Sequence, residues 1–139
     1  MEEFHYKKFS GLNDDVVSLR TTVFMQEQGF KNEFDETDKT CVHVVLYDGD
    51  KPIATCRYFH EGTIDHIGRV AVLKAYRGQN LGHNMMQRAE AEIKKDGGHS
   101  IELSAQLRVK DFYKKLGYQE EGNVYLDEYC EHITMVKTI

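Results

Sequence analysis

The sequence predicts one mixed α/β domain, a sheet carrying helices on its faces. Three observations lead there. The chain has 139 residues, the size of one domain at the usual ~100–200 residues each. Hydrophobic residues make up 40% of it, enough for one core without disulfide or metal staples. Its apolar pattern switches between β-rich runs and helical spacing, with no repeat or composition break along the way.

The elements follow in order. Phe4 to Phe9 reads as a short strand. Leu12-Asn13-Asp14-Asp15 supplies an N-cap candidate and acids for a first helical turn. Val16, Leu19, Val23 and Phe24 mark a helix face to about Gln28. Gly29 to Lys39 is polar and acidic and reads as a loop. Cys41 to Tyr47 and Pro52 to Phe59 form a hairpin across Asp48-Gly49-Asp50-Lys51, and Glu61-Gly62 turns into a third strand, Thr63 to Leu73. After Arg77-Gly78, Leu81, Met85, Ala89 and Ile93 recur every four residues, a helix that Gly97-Gly98 stops. Ser100 to Ser104 is a short buried strand. Val109, Phe112, Tyr113 and Leu116 have helical spacing, with Gly117 behind them. Two last strands run from about Tyr118 to Leu126 and His132 to Lys137. The order is β-α-β-β-β-α-β-α-β-β.

Composition excludes several classes. Eighteen basic against 23 acidic residues give a net charge of −5, so the basic face that nucleic acid requires is not expected. Mean hydropathy is −0.58, and the longest apolar runs, Val44–Tyr47 and Val70–Leu73, fall far short of the ~20 residues of a membrane helix. Met1-Glu2-Glu3-Phe4-His5 has neither the basic nor the apolar region of a signal peptide. Cys41, Cys56 and Cys130 form no CxxC pair and suit reduced thiols. The expectation is a cytoplasmic protein without membrane or nucleic-acid partners. No HxxxH or Cys/His cluster has ligand spacing, so no metal is expected.

The most informative stretch runs from Arg69 to Gly82. A buried strand, Val70-Ala71-Val72-Leu73, enters a short loop and then a helix with glycines at its entrance. Free backbone N–H groups and the positive end of the helix dipole converge at such a place, and phosphate oxygens bind there. Arg77 adds a cation, and Gly78 and Gly82 allow close backbone approach. The Walker A loop and the dinucleotide GxGxxG are both missing.

Arg77-Gly78-Gln79-Asn80-Leu81-Gly82 resembles the Arg/Gln-x-x-Gly-x-Gly/Ala signature of the GCN5-related N-acetyltransferases (GNAT). Asn80 replaces the usual glycine, and Asn tolerates left-handed backbone angles better than most residues. Phe112-Tyr113-Lys114-Lys115-Leu116-Gly117-Tyr118 is similar to the family's later Phe-Tyr-x-x-Leu-Gly-Phe/Tyr segment. Arg20-x-x-Val23-Phe24-x-x-Glu27-Gln28, then Glu33, Asp35, Asp38 and His43, resembles the small bacterial members of the ElaA/YjcF type. Leu103-Ser104-Ala105-Gln106 and Glu131-His132-Ile133-Thr134-Met135 do so too.

The resemblance covers nearly the whole chain. It implies a single domain over residues 1–139, with a mixed, mostly antiparallel sheet and helices on both faces. It implies acetyl-coenzyme A as cosubstrate and a primary amine of a small molecule or peptide as acceptor. It assigns the pyrophosphate to residues 77–82 and the pantetheine arm and thioester carbonyl to the backbone of Val70, Ala71 and Val72. Gln106 stands where many members carry an asparagine that bonds that arm. Tyr113 is the candidate general acid, because a phenol with a pKa about 10 is protonated at neutral pH. His132 is the first candidate for the base, since an unperturbed histidine titrates near ~6.5. His43, Glu33 and Glu36 compete for that role or, with Arg20, shape the substrate pocket. Cys130 reads as a packed or surface thiol. Family members are often dimers, so a homodimer is an expectation. Two rivals stand beside this reading: an acyl-homoserine-lactone synthase, which shares the fold, and a coenzyme A-binding module without catalysis.

Overall fold

The computed structural model describes residues 4–139; the opening Met1-Glu2-Glu3, on which the absence of a leader was read, lies outside them. The chain runs β1 (Phe4–Ser10), α1 (Asp14–Arg20), a π-helical turn (Thr21–Glu27), a 3-10 turn (Glu36–Lys39), β2 (Val42–Asp48), β3 (Lys51–Glu61) and β4 (Ile64–Val72). A 3-10 turn (Lys74–Tyr76) leads to α2 (Leu81–Lys95), β5 (Ser100–Gln106), another 3-10 turn (Leu107–Val109), α3 (Lys110–Lys115), β6 (Gln119–Asp127) and β7 (Cys130–Thr138). The element order is the one the periodicity predicts. The first helix differs in kind. Asn13 caps it, its Oδ1 accepting from Val16 N at 2.9 Å. From Thr21 it widens to π geometry, and Phe30 N donates back to Phe24 O at 2.9 Å. That wide turn draws Val23, Phe24 and Phe30 into one buried cluster with Ala71.

The seven strands pair in the order β1-β2-β3-β4-β5-β7-β6. Every pair is antiparallel except β4–β5, whose crossover is α2. On one face α2 buries Leu81, Met85, Met86, Ala89 and Ile93 with Ile101, Leu103, Ile133 and Met135. On the other, α1 and the π turn bury Val16, Leu19, Val23 and Phe24. Among the described residues no helix is long and apolar enough to cross a membrane.

Charge, not only apolar area, fills the second face. Arg20 is fully buried. Its Nε donates to Glu33 Oε2 at 2.8 Å, its Nη1 to Asp38 Oδ1 at 2.6 Å, and its Nη2 to Glu33 O at 3.0 Å. Arg57 of β3 donates to Asp38 and Asp35, both from Nη1, at 2.8 and 2.7 Å. Arg69 of β4 pairs with Glu33 Oε2 at 3.1 Å. Three guanidinium groups and three carboxylates thus tie α1, the 33–38 loop, β3 and β4 together. A buried charge is tolerated only when paired and hydrogen-bonded, and these are both.

Two expectations follow. Arg20→Ala leaves Asp38 with Arg57 alone and Glu33 with Arg69 alone in the interior, and lowers folding stability by about 3 kcal/mol, measured by denaturant unfolding. The arginines hold the Asp38 carboxyl well below the usual carboxylate range, against the opposing effect of burial. Its folded pKa is depressed, so its stabilisation is complete above the unfolded value of about 4 and drains as pH falls through the folded one. Melting temperature between neutral pH and about pH 2 therefore falls less steeply in Asp38→Asn, from a lower start, than in the wild type.

Candidate active site

β4 and β5 touch in only two registers, Asp65 with Ile101 and His66 with Glu102, and then part. A cavity of about 560 Å³ occupies the gap and reaches both faces of the sheet. Phe24, Phe30 and Glu33 line it from the α1 face; Leu81, Gly82, Phe112 and Tyr113 line it from the α2 face.

The β4 edge along this gap is set by a bulge. Thr55 pairs with Ala71 and Arg57 with Gly68, so Arg69 and Val70 together oppose Cys56. Arg69 takes φ 53, a left-handed angle that is rare for a residue with a side chain. Beyond the bulge Leu73 N donates to Ile53 O of β3 at 2.9 Å. N–H directions alternate along a strand. Ala71 therefore also faces β3, while the N–H groups of Val72 and Val70 face the gap, where no β5 residue pairs with them. Ala71 is buried with Phe24 and Phe30 and does not line the cavity.

At the helix entrance Asn80 adopts φ 65, ψ 19, with no side-chain cap on α2. The left-handed angle expected of the glycine position is thus met by asparagine. The first N–H groups of α2 are left without a side-chain acceptor. Gly78 and Asn80 line the cavity and Gln79 does not. A Cβ at Gly82 would meet Phe112 Cζ at 3.3 Å, so this glycine also lets α3 lie over the start of α2. Arg77 is not a free cation. Its guanidinium is held by Glu27 at 2.5 and 2.8 Å, and its Nε donates to Val72 O at 3.0 Å.

Tyr113 and His132 lie on opposite faces. The Tyr113 ring packs edge-on to Phe112 and Tyr118 within the α2-face core. Burial pushes its phenol well above the ordinary value of 10. Among the described residues nothing hydrogen-bonds its hydroxyl. His132 is buried edge-on to Phe30 and stacked on Tyr125. Its Nδ1 lies 3.0 Å from Cys130 O. A carbonyl only accepts, so Nδ1 is the nitrogen that carries a hydrogen.

The remaining expected site residues divide. Glu33 lines the cavity, its carboxyl raised by burial against the pull of Arg69 and Arg20. Gln106 lines it too, but its Nε2 is already bonded to Gln28 Oε1 at 2.8 Å. Arg20 and His43 are fully buried in the charged network and are not cavity walls. His43 Nε2 lies 3.1 Å from Asp38 O, and burial pushes its ring pKa down. Glu36 is exposed beside Lys39 and does not reach the cavity. Asp38, Cys41 and His43 bring ligand-type atoms within 4.8 Å of one another. They do not suit a cation: Arg20 and Arg57 occupy Asp38 Oδ1, and burial keeps the Cys41 thiol protonated. Glu27, Gln28, Phe30, Asn32, Arg69, Ser104 and Asp127 are cavity residues that sequence reasoning did not place there. Glu27 and Gln28 stood in the quoted Arg20-to-Gln28 pattern, the one signal that could have found them.

The sheet is thus opened between two parallel strands, with a backbone edge, the half-buried phenol of Tyr113 and the ring of His132 around the opening. The acetyltransferase (GNAT) domain model matches residues 12–139. The chain is 32% identical over 126 residues to YjcF of Bacillus subtilis, an uncharacterized N-acetyltransferase, spanning 88% of this chain and 90% of that one. The fold superposes on Escherichia coli ElaA with a TM-score of 0.86 and 26% identity, over 99% of both chains. An acyl-CoA N-acyltransferase of Pseudomonas aeruginosa gives 0.85 and 26%, again over 99% of each. The chain belongs to the GNAT acetyltransferase family.

Burial raises the Tyr113 phenol, so it is expected to ionise after the exposed tyrosines whose absorbance grows in around pH ~10. An alkaline titration of Tyr113→Phe should overlay that of the wild type up to about pH 11; a loss of amplitude there would mean an accessible phenol.

Proposed function

We propose that the protein transfers an acetyl group from acetyl-coenzyme A to a primary amine of a small molecule or peptide. The observation that carries this reading is the parting of β4 and β5, with unpaired N–H groups at Val70 and Val72 beside a cavity that reaches both faces. Such an edge offers donors in a row to an extended, amide-bearing arm. The uncapped start of α2, turned outward by Gly78 and left-handed Asn80, suits a pyrophosphate. When bound, acetyl-coenzyme A supplies the thioester-activated acyl group. Glu27 holds Arg77 at this end, so the backbone is the main phosphate ligand in the reading.

The residues then divide the work by face. The Val72 N–H is the donor for the oxygen that becomes anionic, and a fixed backbone dipole needs no reorganisation to do so. Tyr113 keeps its proton at neutral pH because its site is apolar, and donates it from Oη to the departing thiolate. His132 Nε2 removes the amine proton, while Cys130 O fixes the ring through Nδ1. Phe24 and Phe30 shield the amine side from water. Glu33 is the competing base, raised by burial but tied to Arg20 and Arg69.

Free-thiol release measured over polyamines, amino sugars, amino acids and peptide N-termini tests the reading. Release that requires an amine is the expected result. Coenzyme A binding without release for any of them leaves a binding module, and dependence on S-adenosylmethionine indicates the lactone synthase. With an active amine, Tyr113→Phe lowers kcat ~10²–10⁴-fold while the KM for acetyl-coenzyme A holds. His132→Asn lowers kcat while the KM for acetyl-coenzyme A holds. A fall in kcat found in Glu33→Gln and not in His132→Asn moves the base to Glu33.

A further inference from the structure

The tip of the β6–β7 hairpin reaches across the chain to the loop that follows the π turn. Asp127 pairs with Cys130, so Glu128 and Tyr129 form a two-residue turn. The Glu128 carboxylate accepts from Lys31 N at 2.9 Å and from Asn32 N at 2.9 Å, with a longer bond of 3.2 Å to Lys31 N. Successive backbone N–H groups converging on one carboxylate make an anion-binding nest. Beside it Tyr129 donates through its hydroxyl to Gln28 O, and its ring lies 5.3 Å from that of Phe30.

Both halves of this contact are cavity wall. Gln28, Phe30 and Asn32 come from the loop; Asp127 and His132 come from the hairpin. Phe30 touches both Tyr129 and His132, with ring centroids 5.3 and 6.4 Å away. The loop has no regular structure from Gly29 to Asp35: Phe30 N still reaches back to Phe24 O, but Lys31 and Asn32 beyond it have no such local backbone bond. Glu128 holds those two amides, from 97 and 96 residues away.

Its backbone makes the same point. Glu128 has φ 54, and Tyr129 is not among the positive-φ residues. That is the pattern of a type II′ turn, whose first central position favours glycine. A glutamate here strains the turn and gains it nothing. What the side chain gains is the nest on the opposite loop.

We infer that Glu128 is the positioning residue of the acceptor site: its carboxylate, docked on the Lys31 and Asn32 amides, holds the Phe30–Asn32 wall against His132 and so governs acceptor binding. The inference rests on the transfer reading for its consequence, and on the hydrogen bonds alone for its geometry.

Glu128→Gly separates this from a turn-forming role, because it relieves the positive φ while deleting the carboxylate. Glu128→Gln keeps the length and one acceptor oxygen. Amide hydrogen exchange on the intact chain is read first. Lys31 and Asn32 amides exchange at least about tenfold faster in Glu128→Gly, with Glu128→Gln between it and the wild type. Acceptor KM, measured with the best amine of the panel, rises about tenfold in Glu128→Gly and less in Glu128→Gln. Coenzyme A affinity by calorimetry and melting temperature hold in both variants. Unchanged exchange at the two amides overturns the inference, as does faster exchange with an unchanged acceptor KM. A loss of coenzyme A affinity equal to the rise in acceptor KM also overturns it, because the effect would then be general. If no amine supports release in the wild type, the transfer reading fails and the exchange data still decide whether Glu128 holds the loop.

Discussion

Everything in this molecule depends on two parallel strands that start together and then separate. A sheet normally satisfies its backbone by pairing, and an unpaired edge in an interior is costly. Here β4 and β5 give up pairing after His66 and Glu102. The gap stays open because each side is held elsewhere. β4 is bound to β3 through its bulge, and β5 to β7 along its full length from Ser100 to Gln106. Behind β4, the Arg20–Glu33–Asp38–Arg57–Arg69 network fastens the loop that forms one wall. Breaking the sheet at this place creates a cavity with backbone donors on its lip and side chains from both faces.

In the proposed transfer, that geometry separates two protonation tasks by environment. The α2 face around Tyr113 is apolar, which favours the neutral phenol. The α1 face around His132 and Glu33 is rich in paired charge. In that reading, an acid and a base on opposite sides of one sheet need not neutralise each other. The Glu27–Arg77 pair marks the boundary between the two ends and joins the π turn to the entrance of α2.

The elements were legible because periodicity reports burial: Leu81, Met85, Ala89 and Ile93 are all buried on one helix face. The glycine-containing entrance at 77–82 was legible from local chemistry, since αL positions and a helix start lie within six residues. The charged network was not. Arg20 on the first helix and His43 on a strand look like pocket residues and Asp38 like a loop acid, and only tertiary pairing, over 13 and 18 positions for Arg20, makes them interior. Arg69 carried no sign of its left-handed angle, because the bulge is defined by the partner strand and not by the residue. The π turn escaped for a related reason. Val16, Leu19, Val23 and Phe24 fit helical spacing equally well in α and π geometry over so short a span. Glu128 escaped because its partners are backbone amides almost a hundred residues earlier.

The central claim is that the unpaired β4 edge receives the cosubstrate. Backbone amide NMR shifts during a titration with coenzyme A address it directly. The account predicts large shifts at Val70 and Val72 and at the first amides of α2, Leu81 to His83, with Ala71 and Leu73 nearly still because their N–H groups face β3. Saturating binding that leaves Val70 and Val72 unmoved, or that moves Ala71 as much as its neighbours, would contradict it.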